Sequence, residues 1–278
     1  MRKIIYLALG AFLLLSCEKE NSDLIENNIK GKISSIILNE YRVTDSFFDV
    51  GQAKFYSRTE TYYNETGNKT EEKFFNNNYK LTKTIEYSYD ASQKLIKTKT
   101  TEISPWETNV REYEYEYNNK GILITMVYKL KNVFHYKTAY FYDGKGLLIE
   151  EKVFRDMEMT MLNGYTKYTY DSKGNMIEYS NHTGSGRLEN RHEHSYYNNK
   201  KVKEIIGYSA HDKFVYKRVF SYDGKGNTTE IVIYNDKGQK AQQINYEYEY
   251  DSRNWVKMTT RNNLIAVALV EREIEYRK

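Results

Sequence analysis

The string YDGKG occurs twice in the sequence, at residues 142–146 and at residues 222–226. Related strings, in which Tyr precedes Asn or Asp, occur at six other places: YNETG from residue 63, YDASQ from 89, YNNKG from 117, YDSKG from 170, YNNKK from 197 and YDSRN from 250. Successive tyrosines of this set are 25 to 28 residues apart, and Tyr276 follows the last of them by 26 residues. A regular period of this length indicates a repeat architecture.

Each repeat contains the residues of a tight turn. The short Asn or Asp side chain can accept a hydrogen bond from the backbone two residues later. Four residues after the Tyr comes Gly in most copies, which tolerates the positive φ that a four-residue hairpin loop needs. Asn254 takes this place in one copy, and Gln93 and Lys201 depart from the pattern, so their turns are expected to differ in length or strain. The turn-forming residues predicted with most support are Asp143, Gly146, Asp171, Gly174, Asp223 and Gly226.

The segments between the turns read as β-strands. Residues 112–117 alternate Glu and Tyr, which places the tyrosines on one face of a strand and the carboxylates on the other. About 27 residues per repeat accommodate two strands and two turns. We therefore predict an all-β fold, a repeat of antiparallel β-hairpins that forms a long twisted or wrapped single-layer sheet of about 16 to 18 strands. Residues 30–62 are interpreted as a degenerate first unit, with a capping strand at residues 32–38.

An outer-membrane β-barrel is a less favoured interpretation of the same strands. Such a barrel needs an outward band of apolar residues on every strand. Here one strand face is rich in Glu and the other in Tyr, while Lys and Thr occur on both.

The N-terminal segment has the features of a secretion signal. Arg2 and Lys3 precede the apolar run 4–15, which is too short to span a bilayer as a helix. The run ends in Leu14-Leu15-Ser16-Cys17, which resembles the lipobox of bacterial lipoproteins. That resemblance implies that Cys17 is lipidated and becomes the mature N-terminus; the alternative is an ordinary signal peptide. The predicted organisation is a signal peptide at 1–16, a polar tether at 17–29 and the repeat domain at 30–278.

The composition restricts the function. Removing Arg2 and Lys3 leaves 40 of the 42 basic residues against 38 acidic residues, a balance that argues against nucleic acid as a partner. Cys17 is the only cysteine, so the mature chain has neither a disulfide framework nor a thiol nucleophile. The predicted location is the bacterial outer membrane, through the lipid anchor, on its periplasmic or outer side.

The repeat also resembles a known family. The pattern Y-x-Y-D-x-x-G, clearest in Tyr168-Thr169-Tyr170-Asp171-Ser172-Lys173-Gly174, resembles the YD repeat of the RHS family and the small YD-repeat lipoproteins of Bacteroidetes. The resemblance extends over residues 60–278. It implies a shell of β-hairpins with a sugar-binding role. The toxin domain of large RHS proteins is not expected here, because residue 278 lies within a repeat remnant.

Candidate sites for chemistry are few. His192 and His194 share a strand face, with His182 near them in the sequence, and are weak candidates for a metal site, although further ligands are not evident. The loop 171–175 has Lys173 where a calcium loop needs an oxygen ligand. No nucleophile elbow or phosphate-binding loop is present. We therefore predict neither catalytic residues nor a cofactor.

The turns at the other end of the hairpins vary in length and composition, and repeat proteins often bind ligands at such an edge. The ligand-binding residues predicted there are Trp106, His182, Arg187 and His211. The preferred function is a non-catalytic binding or scaffold module of the cell envelope, with a glycan or an envelope protein as partner. The alternatives are a structural or partner-protein adaptor without a small ligand and, with the least support, an enzyme.

Overall fold

The computed structural model describes residues 29–43, 53–198 and 200–277. The predicted signal peptide and Cys17 lie outside these residues, as does most of the tether. The described residues form one 18-stranded sheet. Its strands are β1 Ile33–Val43, β2 Ala53–Tyr63, β3 Lys69–Phe75, β4 Leu81–Tyr89, β5 Leu95–Ile103, β6 Thr108–Tyr117, β7 Leu123–Leu130, β8 Val133–Tyr142, β9 Leu148–Phe154, β10 Leu162–Tyr170, β11 Met176–Thr183, β12 Leu188–Tyr196, β13 Val202–Ser209, β14 Phe214–Tyr222, β15 Thr228–Tyr234, β16 Lys240–Tyr250, β17 Trp255–Asn262 and β18 Ile265–Tyr276.

The sheet is a closed antiparallel barrel. Each strand pairs with the next along the chain, and β1 pairs with β18 as well as with β2. The predicted all-β hairpin organisation is confirmed, but of the predicted twisted or wrapped sheet the open twisted form is wrong, because the two edges of the sheet meet. Closure satisfies the backbone groups that an edge strand would leave unpaired. The predicted cap at residues 32–38 therefore belongs to a strand with neighbours on both sides.

The barrel has two different rims. The turns that follow β2, β4 and every later even-numbered strand up to β16 contain the repeated YD-type strings, and we call this end the YD rim. The turns that follow the odd-numbered strands lie at the opposite end, which we call the variable rim. A meander of antiparallel strands makes this segregation unavoidable, because alternate turns lie at opposite ends of the strands.

The YD turns share one hydrogen-bond pattern. In the turn at residues 143–147, Oδ1 of Asp143 accepts the amide N–H groups of Lys145 and Leu147, each at 2.8 Å. The N–H of Gly146 donates to the carbonyl of Asp143 at 3.0 Å, and Gly146 has a φ of 82°. Gly174 and Gly226 have φ values of 80° and 88°. A residue with a Cβ atom would be strained in this conformation.

Three turns depart from the glycine pattern in ways that the sequence did not show. Gln93 adopts a φ of 62° and keeps the ordinary turn length. In the turn after β12, Lys200 rather than Lys201 has the positive φ, of 64°, because Tyr196 is the last strand residue and Tyr197 opens the turn. The turn at Asp251 is one residue shorter, and Asn254 is buried and bound to the main chain of Lys30.

The last tyrosine of a hairpin strand connects one repeat to the preceding one. Its side chain reaches across the sheet, and its hydroxyl donates to a main-chain carbonyl at the start of an earlier strand. These bonds measure 2.7 to 2.8 Å and join Tyr89 to Lys69, Tyr117 to Leu95, Tyr170 to Leu148 and Tyr196 to Met176. The repeated tyrosine is therefore mainly a structural contact between repeats.

The two faces of the sheet differ in character. Tyr113, Tyr115 and Tyr117 share a face with Leu123 and with other tyrosines of the neighbouring strands. Burial raises the pKa of Tyr117, and equally of Tyr142 and Tyr170, to about 12. Side chains converge on the concave side of a closed sheet and diverge on the convex side, so we assign the tyrosine face to the interior.

The opposite, outward face carries the Glu and Lys side chains. Cross-strand ion pairs join Lys97 to Glu112 at 2.7 Å and Lys129 to Glu114 at 2.7 Å. Such pairs contribute little each, but they accommodate charges at close spacing on neighbouring strands. The alternation of Glu and Tyr seen in residues 112–117 thus separates an ionic outer surface from an aromatic inner wall.

The buried hydrophobic clusters lie where the barrel closes. One contains Ile33, Ile36 and Tyr63, packed against Ile274 and Tyr276. The second contains Val43, Ala266 and Leu269. Both bring strands β1 and β18 together, so the closing seam has the densest apolar packing in the described part of the chain.

Among the described residues, no helix combines the length and the apolar composition needed to cross a lipid bilayer.

Loss of the capping carboxylate should destabilise the barrel. In Asp143→Ala, two backbone N–H groups lose their acceptor, and we expect the free energy of unfolding to fall by about 1–2 kcal/mol. Asp236→Ala is the matched control, since Asp236 is exposed in a turn of the same type in which Asn235 accepts the backbone bonds. Urea denaturation of both variants measures the difference. Equal stability of the two variants would contradict the capping role of Asp143.

Candidate binding surface on the inner wall and the variable rim

The variable rim carries the predicted ligand-binding residues, but it does not bring them all together. Trp106 lies in the turn between β5 and β6 and is 93% exposed. Arg187 and His211 are exposed in the turns after β11 and β13. Two turns separate Trp106 from the turn that contains Arg187. The structure therefore gives Trp106 different neighbours from the other three residues.

His182 and Arg187 are close to one another at the end of β11. The ring of His182 stacks on Tyr165 with centroids 4.6 Å apart, and its Nε2 lies 3.0 Å from the hydroxyl of Ser180. The adjacent turns are joined by Arg191, whose guanidinium bonds Asp212 at 2.7 Å. In this part of the rim the charges of Arg191 and Asp212 are therefore already paired with each other.

His192 and His194 point to the inner wall, whereas His182 lies on the outer face. The ring of His192 stacks on Tyr179 with centroids 4.5 Å apart, and its Nδ1 lies 3.1 Å from the hydroxyl of Tyr216. Burial lowers the pKa of His194 to about 4. Within the described ranges, no group of three or more His, Cys, Asp or Glu side chains is placed to hold a metal ion.

The turns of the variable rim are less diverse than the sequence suggests. Those that begin at Asn76 and Asn235 have the hydrogen-bond pattern of the YD turns, with the Asn side chain accepting two backbone N–H groups. The longer turn after β9 is organised by Asp156, whose carboxylate accepts the amides of Thr160 and Met161. Variation is therefore concentrated in the turns that contain Trp106, Met159 and Arg187.

A groove opens on the inner wall beside the Asn76 turn, with a volume of about 630 Å³. Its inward-facing lining includes Ser57, Thr59, Phe74, Lys83 and Glu102. The ammonium of Lys83 lies 3.6 Å from the centroid of the Phe74 ring. The groove thus combines hydroxyl groups, an aromatic face and one charge of each sign.

The groove continues into a row of tyrosines on the inner wall. Glu102 forms a 2.7 Å ion pair with Arg111, which is two residues before Tyr113 on β6. The rings of Tyr113 and Tyr128 have centroids 5.0 Å apart, and those of Tyr128 and Tyr136 are 4.8 Å apart. We call Tyr113, Tyr128 and Tyr136 the tyrosine platform. Aromatic faces and hydroxyls together suit ligands that have both C–H faces and polar groups.

A buried carboxyl lies further around the inner wall. Glu151 on β9 is opposite Tyr140 on β8, and Tyr168 on β10 bonds its side chain. Burial raises the pKa of Glu151, while the hydrogen bond from Tyr168 opposes that effect. Burial likewise raises the pKa of Tyr140 and of Tyr168. This group adds an acid and two phenols to the wall beyond the tyrosine platform.

Sequence reasoning missed the groove and the platform. Phe74, Lys83 and Glu102 come from three strands, and each is ordinary in its own segment. The available signal was the doubled phenylalanine at residues 74–75, which follows three charged residues and precedes three asparagines. The closure of the sheet makes this face concave, and the sequence did not show that closure.

No protein-family model and no curated protein matches the chain. Solved structures show partial similarity. A porin-like protein from Bacteroides uniformis is 12% identical, with a TM-score of 0.45, over 87% of this chain and 96% of that one. A porin-like protein from Bacteroides vulgatus is also 12% identical, with a TM-score of 0.35, over 72% and 95% of the two chains. The TcdB2-TccC3-Cdc42 structure is 13% identical, with a TM-score of 0.34, over 86% of this chain but 16% of that one, so this chain spans about a sixth of its length.

Proposed function

We propose that this chain is a lipid-anchored, non-catalytic binding protein of the bacterial cell envelope that takes an extended carbohydrate on its inner wall. The observation that carries the proposal is the groove at Phe74, which leads through Arg111 to the tyrosine platform. A barrel of about 16–18 strands encloses more space than its own side chains fill. The inner wall is therefore accessible to a ligand chain.

The chemistry of the groove favours a neutral, hydroxyl-rich ligand. Sugar hydroxyls need both donors and acceptors, which Thr59, Lys83 and Glu102 provide, while their C–H faces pack on aromatic rings such as Phe74. The charged groups are already compensated, since Glu102 pairs with Arg111 and Lys83 lies over Phe74. Paired charges support binding rather than acid–base catalysis, which requires a group free to exchange its proton with the substrate.

Substitutions in the groove and in the tyrosine platform test the binding site. In Phe74→Ala or Tyr128→Ala, we expect the affinity for a bound polysaccharide to fall about tenfold, since each change removes one stacking face. Phe141→Ala is the matched control, because Phe141 lies on the outer face of β8. Polysaccharide pull-down followed by titration calorimetry supplies the affinities. If the three variants bind equally well, the inner wall is not the binding site.

Trp106 supports a second candidate function, an adaptor for another envelope protein. Its ring is almost fully exposed outside the groove, and tryptophan is a common anchor residue of protein interfaces. Trp106→Ala should then abolish capture of that protein while polysaccharide binding is retained. Loss of polysaccharide binding in this variant would instead extend the carbohydrate site to the rim.

The anchor is tested separately. In Cys17→Ala the lipid cannot be attached, and we expect the chain to move from the membrane fraction to the soluble fraction. Fractionation of cells with detection by antibody measures the distribution. Continued membrane association of this variant would contradict lipid anchoring through Cys17.

A further inference from the structure

We infer that the YD rim is the membrane-facing end of the barrel and that Lys120, Lys145 and Lys173 at its turn tips contact anionic lipid headgroups. The orientation of the barrel rests on the proposed lipid anchor. The choice of anionic lipid as the partner rests on the charge and the apolar surface of the YD rim. In this orientation the variable rim, which carries Trp106 and the groove, faces away from the bilayer.

The N-terminal segment enters the barrel at the YD rim. The amide of Arg277, just after β18, donates to the carbonyl of Lys32 at 2.8 Å, and the amide of Lys30 donates to the side chain of Asn254 in a YD turn at 2.9 Å. The chain from Cys17 to Ile29 spans at most about 40 Å. Strand β1 alone, with 11 residues, covers about 36 Å. A tether that ran the length of the barrel would have almost no slack left to reach a bilayer at the variable rim.

The hydrogen bonds within three YD turns leave their lysine side chains at the tips of the turns. Lys145 and Lys173 are two positions after Asp143 and Asp171, and Lys120 is two after Asn118. The Asp and Asn side chains point into their own turns, where each Oδ1 accepts two backbone N–H groups. The three lysines are exposed, and among the described residues no ion pair joins them to a carboxylate. These three turns of the YD rim therefore present ammonium groups at their tips.

An apolar strip lies directly beside these lysines on the outer face. Ile149 and Ile177 follow the inward-facing residues Leu148 and Met176, so their own side chains face outward. Ile149, Phe141 and Ile177 are 40%, 40% and 36% exposed. They belong to strands β8 to β11, the sector in which Lys145 and Lys173 are found. Exposed lysines next to Ile and Phe side chains are typical of surfaces that rest in the headgroup region of a bilayer.

The variable rim also exposes apolar side chains, among them Trp106 and Met161, but its charges are mixed. Its turn tips combine cations with exposed acids, as in Asp236 beside Lys237 and Glu158 near Arg155. An anionic surface would be repelled by these carboxylates as much as it is attracted by the lysines. Charge complementarity therefore favours the YD rim as the side that meets anionic lipids.

The orientation is tested on the full, processed chain in vesicles. Cys17 is the only native cysteine, so a fluorophore can be placed at Lys145→Cys or at Lys237→Cys, which occupies the same position of the same turn type at the opposite rim. In vesicles that contain phosphatidylglycerol, we expect brominated lipids to quench the probe at residue 145 at least fivefold more than the probe at residue 237. Equal quenching, or stronger quenching at 237, overturns the orientation. Labelling of the wild-type chain at Cys17 would instead show that the anchor is missing.

The headgroup contact is tested without the anchor. The segment 29–278 contains all 18 strands of the described residues, including the closing pair β1–β18. Each lysine near an anionic surface adds about fivefold in partitioning, so the loss of three lysines alone weakens binding about a hundredfold. The triple charge-reversal variant Lys120→Glu, Lys145→Glu, Lys173→Glu should therefore bind phosphatidylglycerol vesicles at least about a hundredfold more weakly. The control reverses Lys80, Lys213 and Lys237 on the variable rim. Equal loss in both variants, or equal binding of the unchanged barrel to phosphatidylcholine vesicles, overturns the inference whatever the state of Cys17.

Discussion

Replacing Ile33 by alanine is expected to lower the free energy of unfolding by about 3 kcal/mol. Ile33 is the largest fully buried side chain in the described residues, with 1% of its surface exposed. Truncation of such a side chain removes its transfer free energy and leaves a cavity, at a cost of about 2–5 kcal/mol. Equilibrium unfolding in urea, followed by circular dichroism, measures the change.

The control for this substitution lies on the same seam. Ile265→Ala changes the same residue type on β18, but Ile265 is 37% exposed, so we expect a loss of about 0.5 kcal/mol or less. If both variants lose the same free energy of unfolding, the buried cluster around Ile33 does not hold the seam between β1 and β18 closed.

The seam is also expected to open first. The pairing of β1 with β18 joins residues about 240 positions apart, whereas every other strand pair joins neighbours in the chain. Closing such a distance costs more chain entropy than forming a local hairpin. In Ile33→Ala, amide hydrogen exchange should therefore accelerate in β1 and β18 before it does in β9 and β10. Uniform acceleration along the chain would indicate a barrel that unfolds as a single unit.

The features of the fold that could be predicted from the sequence are those that depend on residues close together in the chain. The spacing of the YDGKG-type strings predicts hairpins, and the Glu–Tyr alternation at residues 112–117 separates the two faces, because both depend on residues that are close in the chain. Whether the sheet closes depends on the twist accumulated over all the strands. No single residue encodes that sum, although the apolar side chains of Ile33 and Ile36 in the first strand are consistent with it.

The candidate site was less predictable than the fold. Trp106 stands out in the sequence because it is a tryptophan beside the only proline, but the structure places it on the rim, outside the groove. Phe74, Lys83 and Glu102 meet because the register of β3, β4 and β5 places Lys83 opposite both other residues, and the sequence did not show that register. The pairing of His192 with His194 was visible from their spacing, whereas the position of His182 on the outer face was not.

Acid should destabilise this barrel through His194. Burial, with a smaller effect from His192, lowers the pKa of His194 to about 4, whereas an unfolded chain has a histidine pKa of about 6.5. Above pH 6.5 the ring is neutral in both the folded and the unfolded state, so protonation of His194 costs the fold no stability there. Because the unfolded state takes up the proton first, stability falls as the pH drops from 6.5 towards 4, by about 2 kcal/mol in all once solvent screening of the partly exposed ring is included. Urea unfolding at a series of pH values follows this loss.

His194→Phe should remove most of that loss. Both ring nitrogens of His194 are buried without a hydrogen-bond partner, and an unsatisfied buried polar group costs about 1–3 kcal/mol. The variant is thus expected to be slightly more stable than the wild type at pH 7 and much more stable at pH 4.5. His211→Gln, at an exposed position on the variable rim, should follow the wild-type profile. A His194→Phe barrel that still loses as much stability as the wild type between pH 6.5 and pH 4 would show that another group, such as the neighbouring His192, controls the acid response.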